Sequence, residues 1–547
     1  MNRAVVLVLL AALTVGPATQ LGRRQDEPEW RGPLNWGHGA GLPPLRTPAR
    51  MPVWVSLRPN PSHIFVVDSM PAPDSNAVFH EGLDSLLSLM AENGASLYRS
   101  AKHLPWCDTA GLIARNDVVL LKVNTAYPER GMTNTDVLKG LIARIVAHPD
   151  TFVGEIELVD NGQGHTCWTY ASNNAERQSQ TMQSVVDLFA GQGYRVGDYD
   201  WSAIGHGDSA RWVSEFDRGD TVSGYVHEDT SGMTYPKFVT SFGTSISTRL
   251  GVWDGNAYHP ERLKLINLPV LKSHTGMGVT AAVKNYVGFL SYAVTGPGPM
   301  HDSAMSHGLL GVELGKARFP DLNIIDATWA CAEIATGPSA PYGLCTRLNT
   351  LVASRDPIAA DYYAGRYVLK PASWWSGRAW VHDYARMDPE SPDTENPGNG
   401  TLYSDSTPCH GTPYNAFHQM LASTCARMLG YGRPVTMDTL QMTIHVHHLG
   451  ITEEEGRNLP AAGRLLVIPN PATGGIWVRC RLEKPGAVRL SVVSADGRVV
   501  DAIAIGVTAA GEHSINLDRH LPAGTYLLSL VTPTGRLSQQ VVVPGRY

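Results

Sequence analysis

Apolar residues along this chain follow two different rhythms. Through the first part, short apolar runs alternate with longer segments in which apolar positions recur every three or four residues. The runs at 118–122, 156–159, 265–271, 322–325 and 348–353 read as strands, and the unbroken apolar character of 265–271 is that of a strand buried on both faces. The segments at 78–93, 135–147, 181–192 and 358–368 read as helices. This alternation predicts an α/β fold, a doubly wound and mostly parallel sheet with helices on both faces. From Arg464 the helical period vanishes. Short strands at 465–468, 476–482, 487–493, 513–517, 524–530 and 539–543 follow, separated by turns such as Ala495-Asp-Gly497, which is the spacing of a small all-β sandwich.

These rhythms divide the chain. Residues 1–18 read as a secretory signal, with Arg3 ahead of an apolar stretch and small residues at Gly16 and Ala18. The apolar stretch is too short to span a bilayer, and no later run reaches that length, so no transmembrane segment is expected. Residues 19–62 form an extended lead-in, 63–435 the α/β domain, 436–463 a linker holding Glu453-Glu-Glu455, and 464–547 the sandwich. Within the α/β domain, residues 200–262 are rich in Ser, Thr, Asp and Gly and read as an insertion or lid. The chain of 547 residues carries a net charge of −6 without a basic run, which excludes a nucleic-acid partner.

Candidate chemistry concentrates where strands end. The run 265–271 leads into Lys272, Ser273 and His274, then a loop with Gly276 and Gly278. Thr280 is placed as the N-cap of a helix carrying Lys284 and Asn285. In open α/β sheets ligands bind outside the carboxyl ends of the strands, where loops and helix N-termini converge. Two lysines and a histidine there suit an anionic ligand. Lys122 and Asn124 leave the first strand in the same way, and Asp160-Asn-Gly-Gln-Gly-His165 follows the next. With parallel strands, these loops open on one edge and the set converges. Taken singly, Asp160 and Asn161 are turn formers and each lysine is a solvated strand end. The expectation is an exported enzyme acting on a small carboxylate-type anion. His274, His165 and Lys284 would do acid–base or metal-assisted chemistry, and Lys122, Asn124, Asp160, Lys272 and Asn285 would hold the ligand. The alternative is a surface-displayed binding protein that uses the same pocket without turnover.

Other clusters add less. His445 and His447 share one face of a strand-like run but lack a third metal ligand. Met300-His-Asp302 and His307 offer a His–Asp pair that helix capping explains as well. The seven cysteines include no Cys-x-x-Cys, so no iron–sulfur cluster is expected. Cys331–Cys345 and Cys409–Cys425 each close a short loop and are disulfide candidates in an oxidising compartment. No Gly-x-Ser-x-Gly elbow, Walker loop or zincin motif is present.

Several segments resemble known families. Asn267-Leu-Pro-Val-Leu-Lys-Ser-His274 followed by Ala282-Val-Lys-Asn-Tyr-Val-Gly288 resembles the core signature of the domain of unknown function 362 family. Val118 to Asn124 with Thr133-Asn-Thr135, Phe319 to Ala327 and Leu351 to Asp361 fit the same family. Pro469-Asn-Pro-Ala-Thr473, Val493-Ser-Ala-Asp-Gly-Arg-Val-Val500 and Leu521-Pro-Ala-Gly-Thr-Tyr-Leu-Leu528 resemble the C-terminal sorting domain of type IX secretion cargo. They are also similar to the immunoglobulin-like domain of the flagellar hook-assembly protein. This second resemblance implies an immunoglobulin-like sandwich, a secretion machinery as partner, and a protein secreted or attached to the cell surface. A remote similarity, carried by His274-x9-Lys284 and the Gly-Gln-Gly-His165 loop, is to nickel-pincer lactate racemases. It implies His165 and His274 as ligands or proton carriers and Lys284 as a cofactor contact. Ala281-Ala-Val283 replaces the doubled glycine those enzymes carry before the lysine, and export separates the chain from a nucleotide-derived cofactor. Both departures weigh against the nickel nucleotide and leave the metal content open.

Overall fold

A computed structural model of the chain describes residues 60–74, 76–164, 168–170, 173–176, 179–205, 207–214, 219–293, 308–375, 384–390 and 415–449, and the strands within 465–543. The signal, nearly all of the lead-in, and residues 450–464 lie outside the described residues.

Ten strands form one sheet: β1 (Ser62–Asp68), β2 (Val118–Lys122), β3 (Glu155–Asp160), β4 (Val196–Asp200), β5 (Leu263–Asn267), β6 (Val270–His274), β7 (Gly278–Thr280), β8 (Leu322–Cys331), β9 (Thr346–Ser354) and β10 (Met442–His448). The order is β10-β1-β9-β8-β5-β2-β3-β4, with β6 on β8 and β7 on β6. Neighbours from β8 through β5, β2 and β3 to β4 run parallel, while β9 is antiparallel to both β1 and β8. The pleat sends alternate side chains to opposite faces. Val118 and Leu120 enter one core with Leu263 and Leu265, and Val119 and Leu121 enter the other with Ile156 and Leu158. Helices α1 (Glu81–Glu92), α2 (Thr135–Val146) and α3 (Met182–Ala190) contribute Leu83, Leu141 and Phe189 to the second core. Helix α4 (Ala282–Asn285), α5 (Pro357–Tyr363) and α6 (Ala416–Gly430) pack into the first. The sheet is therefore covered on both faces, as the apolar rhythm predicts.

Three boundaries differ from the sequence reading. The run 265–271 is two strands, because Pro269 has no N–H for a ladder and constrains Leu268 before it. Asp326 N–H donates to the Pro269 carbonyl at 2.8 Å, and β6 then moves along β8 and turns back as a hairpin with β7. Residues 442–448, a strand-like run placed inside the expected linker, are β10, paired parallel to β1 from Ser62↔Met442 to Asp68↔His448 and so part of the main sheet. Buried Met442 and Ile444 anchor that strand in the core. The end of the expected helix 358–368 widens into π-helix at Ala364–Leu369, as does the helix that starts at Leu309, at Glu313–Ala317.

Within the segment 200–262, residues 224–259 hold a five-stranded antiparallel sheet. The C-terminal part holds seven described strands. One sheet has Leu465–Ile468, Ile476–Leu482 and Gly511–Leu517, and the other has Val499–Thr508, Gly486–Ser494, Gly524–Thr532 and Gly535–Val543. Val499–Thr508 escapes the sequence reading because Ala502, Ala504 and Gly506 mute its alternation.

Candidate active site

The sheet reverses its winding between β2 and β5. The chain leaves β2 towards β3 and β4, but leaves β5 towards β8 on the other side. Such a switch point opens a crevice at the carboxyl ends of the strands. Here it holds a cleft, partly open to solvent, lined by Asn124, Tyr127, Asp160, Gln163, Lys272, His274, Thr280, Lys284, Asn285, Gly288 and Pro338, among others.

Lys272 and His274 reach the cleft together because they are two residues apart on β6. Lys272 is 1% exposed, its ammonium donates to the Gly131 carbonyl at 2.7 Å, and it lies 4.9 Å from the centre of the Tyr127 ring. Burial, with the charge of Lys284 adding to it, pushes the Lys272 pKa down to about 7. Lys284 is the third residue of α4, and burial likewise pushes its pKa down to about 7. The structure thus gathers two cations into a place that resists charge.

The expected cap is corrected. Thr280 ends β7, across from Lys272, and α4 begins at Ala282. The Ala282 and Val283 N–H groups donate to the two carboxylate oxygens of Asp361 at 2.6 and 3.0 Å. Asp361 therefore occupies the helix N-terminus that the sequence reading offered to a ligand. Burial pushes its own pKa up to about 8. The Thr280 hydroxyl, released from capping, is buried on the cleft without a hydrogen-bond partner among the described residues.

His274 Nδ1 accepts from the Gly276 and Met277 N–H groups at 3.1 and 3.2 Å. The neutral ring accordingly carries its proton on Nε2 and acts as a donor. Asn285 bridges strands: its Nδ2 donates to Asn267 Oδ1 at 2.8 Å and to the Lys122 carbonyl at 3.3 Å, and its Oδ1 accepts from Asn124 Nδ2 at 3.3 Å. Lys122 sits fully buried behind Asp160, in an ion pair of 2.6 Å, and also donates to the Val123 carbonyl at 2.8 Å. The second oxygen of Asp160 takes the Thr125 N–H and hydroxyl, both at 2.7 Å. Gly288 makes this packing possible, since a Cβ there would stand 2.0 Å from Asp160 Oδ1 and 2.6 Å from Lys122 Nζ.

Of the residues singled out, Lys272, His274, Lys284, Asn124, Asp160 and Asn285 line the one cleft, and Lys122 backs it. His165 lies outside the described residues, as do His301, Asp302 and His307. Sequence reasoning missed Tyr127, Asp361 and Pro338. Asp361 had a signal, a lone acid in the apolar run Ile358-Ala-Ala-Asp-Tyr-Tyr363. His445 lies far along the sheet, its Nε2 2.9 Å from His63 Nδ1. No cluster of three or more His, Cys, Asp or Glu side chains among the described residues is placed to hold a metal ion.

Comparison with known proteins bears on two segments. Residues 259–366 match the family described as Domain of unknown function (DUF362), and this segment contains Lys272, His274, Lys284 and Asp361. Residues 466–544 match the Secretion system C-terminal sorting domain. Neither match extends to nickel-pincer lactate racemases. No curated protein matches. Among solved structures, a Cellulomonas fimi endo-beta-1,4-mannanase double mutant is 11% identical, covering 78% of this chain and 94% of its own, with a TM-score of 0.12. An engineered protein is 10% identical, with coverages of 79% and 94% and a TM-score of 0.14. Scores this low do not indicate a shared fold. The sorting domain makes the protein an exported one, recognised by a secretion machinery and destined for the cell surface or the medium. Among the described residues no helix is long and apolar enough to cross a membrane.

Proposed function

We propose that the α/β domain admits a small carboxylate-type anion to this cleft and moves a proton on it, with a neutral lysine as the base. The observation that carries the reading is the pair Lys272 and Lys284, both buried at one cleft with pKa values of about 7. A lysine on a solvated surface is an ammonium at neutral pH and cannot accept a proton. One whose pKa is near the working pH is divided between acid and base forms, which is the condition for efficient proton transfer. Binding of an anion favours the ammonium form of one lysine and leaves the other to take the proton. Charge that develops on a substrate oxygen then meets donors already in place, the His274 Nε2–H and the Thr280 hydroxyl. Lys122 and Asp160 neutralise each other, so the pair beneath the cleft does not compete for the anion.

Calorimetric titration with malonate, lactate and inorganic phosphate at pH 8, in buffers of different ionisation enthalpy, tests this. Binding of at least one probe should take up protons, and the uptake should fall in Lys284→Met. An absence of binding, or a proton count unchanged in Lys284→Met, contradicts the reading. His274→Ala separates an enzyme from a binding protein, since an enzyme loses turnover far more than affinity.

A further inference from the structure

The β8–β9 ladder ends at Ala330↔Thr346, one residue short of two cysteines that share a small buried cluster. Trp329 pairs with Arg347 and Ala330 with Thr346, so one further step of the register would set Cys331 opposite Cys345. Directly opposed residues of an antiparallel pair have Cα atoms ~4.5–5.5 Å apart, inside the range a disulfide spans. Both side chains are buried in one small cluster, and both are free thiols in this structure. On its other side β8 is paired with β6, and there the partner of Cys331 is Lys272. The segment between the cysteines walls the cleft. Pro338 lines it, Ser273 Oγ donates to the Glu333 carbonyl at 2.8 Å, and Tyr342 N–H donates to Glu129.

We propose that Cys331 and Cys345 are oxidised to a disulfide in the exported protein, and that this bond staples the segment 332–344 that walls the anion cleft. The role at the cleft rests on the function proposed above; the bond itself does not. The oxidant is a disulfide-bearing thiol oxidoreductase or small disulfide of the export compartment. The Cys331 thiolate attacks a sulfur of that disulfide, forming a mixed disulfide and releasing one thiol. The Cys345 thiolate then displaces the second thiol from Cys331, so two protein thiols are oxidised and one donor disulfide is reduced. Hydrogen bonding from Cys345 pulls the Cys331 thiol down to about 6, which favours the first attack.

The test uses the full chain secreted without reductant. Cys331 and Cys345 fall on one tryptic peptide, Phe319 to Arg347. The proposal expects that peptide two hydrogens lighter than its reduced form and resistant to iodoacetamide until reduced. Two alkylatable thiols, or either cysteine joined to another partner, overturn it. For the role at the cleft, thermal unfolding is followed with and without sodium sulfate, before and after reduction with a phosphine. The stabilisation by sulfate should shrink on reduction by a few-fold, and an equal stabilisation in both states overturns the staple. A sulfate effect absent from both states would instead count against the anion reading, while the peptide mass still decides the bond.

Discussion

Replacing Lys284 by methionine should make the protein more stable, and only on the acid side. In an unfolded chain this lysine titrates near 10.5, and in the cleft near 7. At ~1.4 kcal/mol per pH unit, that interval sets a ceiling of ~5 kcal/mol on the cost of holding the ammonium in the fold. Interactions that the ammonium makes in the cleft are lost in the variant, and the methionine must fit the same space. A net gain of ~2 kcal/mol at pH 6 is therefore expected, about 2–3 °C in Tm for a domain of this size. The sign follows from proton counting. Between pH 7 and 10.5 the unfolded lysine binds a proton that the folded one has released, so wild-type stability rises with pH across that window. Below pH 7 the full cost is present; above 10.5 both states are neutral and the cost is gone. The advantage of the variant should accordingly be largest at pH 6 and fade towards pH 10. Near-ultraviolet circular dichroism on heating, at one-unit steps of pH, measures it. A Tm lowered equally at every pH would instead show the ammonium to be a structural partner rather than a desolvated burden.

Other outcomes follow from the same geometry. Asp361→Ala removes the acceptor of two buried N–H groups at the start of α4 and should cost ~2 kcal/mol, read from the denaturant midpoint, with Asp361→Asn costing less. Nitrogen-15 spectra of the histidines at pH 8 should show the His274 proton on Nε2; a proton on Nδ1 would break its bonds from Gly276 and Met277. Limited proteolysis should cut between 450 and 463 and release a stable C-terminal fragment, since Glu453-Glu-Glu455 and Gly456 offer nothing to bury.

Much of this arrangement is legible in the chain because burial leaves a trace in composition. Val118–Lys122 is apolar until its last residue, and both its bounds as a strand and the exit of Lys122 at the sheet edge follow from that. Lys272 and His274 are two residues apart at a strand end, so their common direction is a matter of parity. What escaped is what only long-range pairing decides. The run 442–448 reads as strand-like, but its membership of the main sheet is set by its partner β1, more than 370 positions earlier by register. The cap of α4 comes from α5, and a local scan prefers the nearby Thr280 to the distant Asp361. Lys122 looks like a free cation in sequence, but a chain distance of 38 residues conceals the carboxylate of Asp160 that consumes it. The tautomer of His274 depends on two N–H groups that a tight turn brings round to its ring.

Proton exchange on a bound carboxylate distinguishes a cleft that moves protons from one that only binds. Short carboxylates with an acidic α-hydrogen, lactate, malate and malonate among them, are incubated with the protein in deuterium oxide and followed by proton magnetic resonance. At least one should lose its α-proton signal. The rate should rise through the pH range near 7 in which the cleft lysines become neutral, and it should be lost in Lys272→Met and Lys284→Met. Exchange that persists in both variants, or a ligand that binds the cleft tightly and keeps its α-proton at every pH, would contradict it.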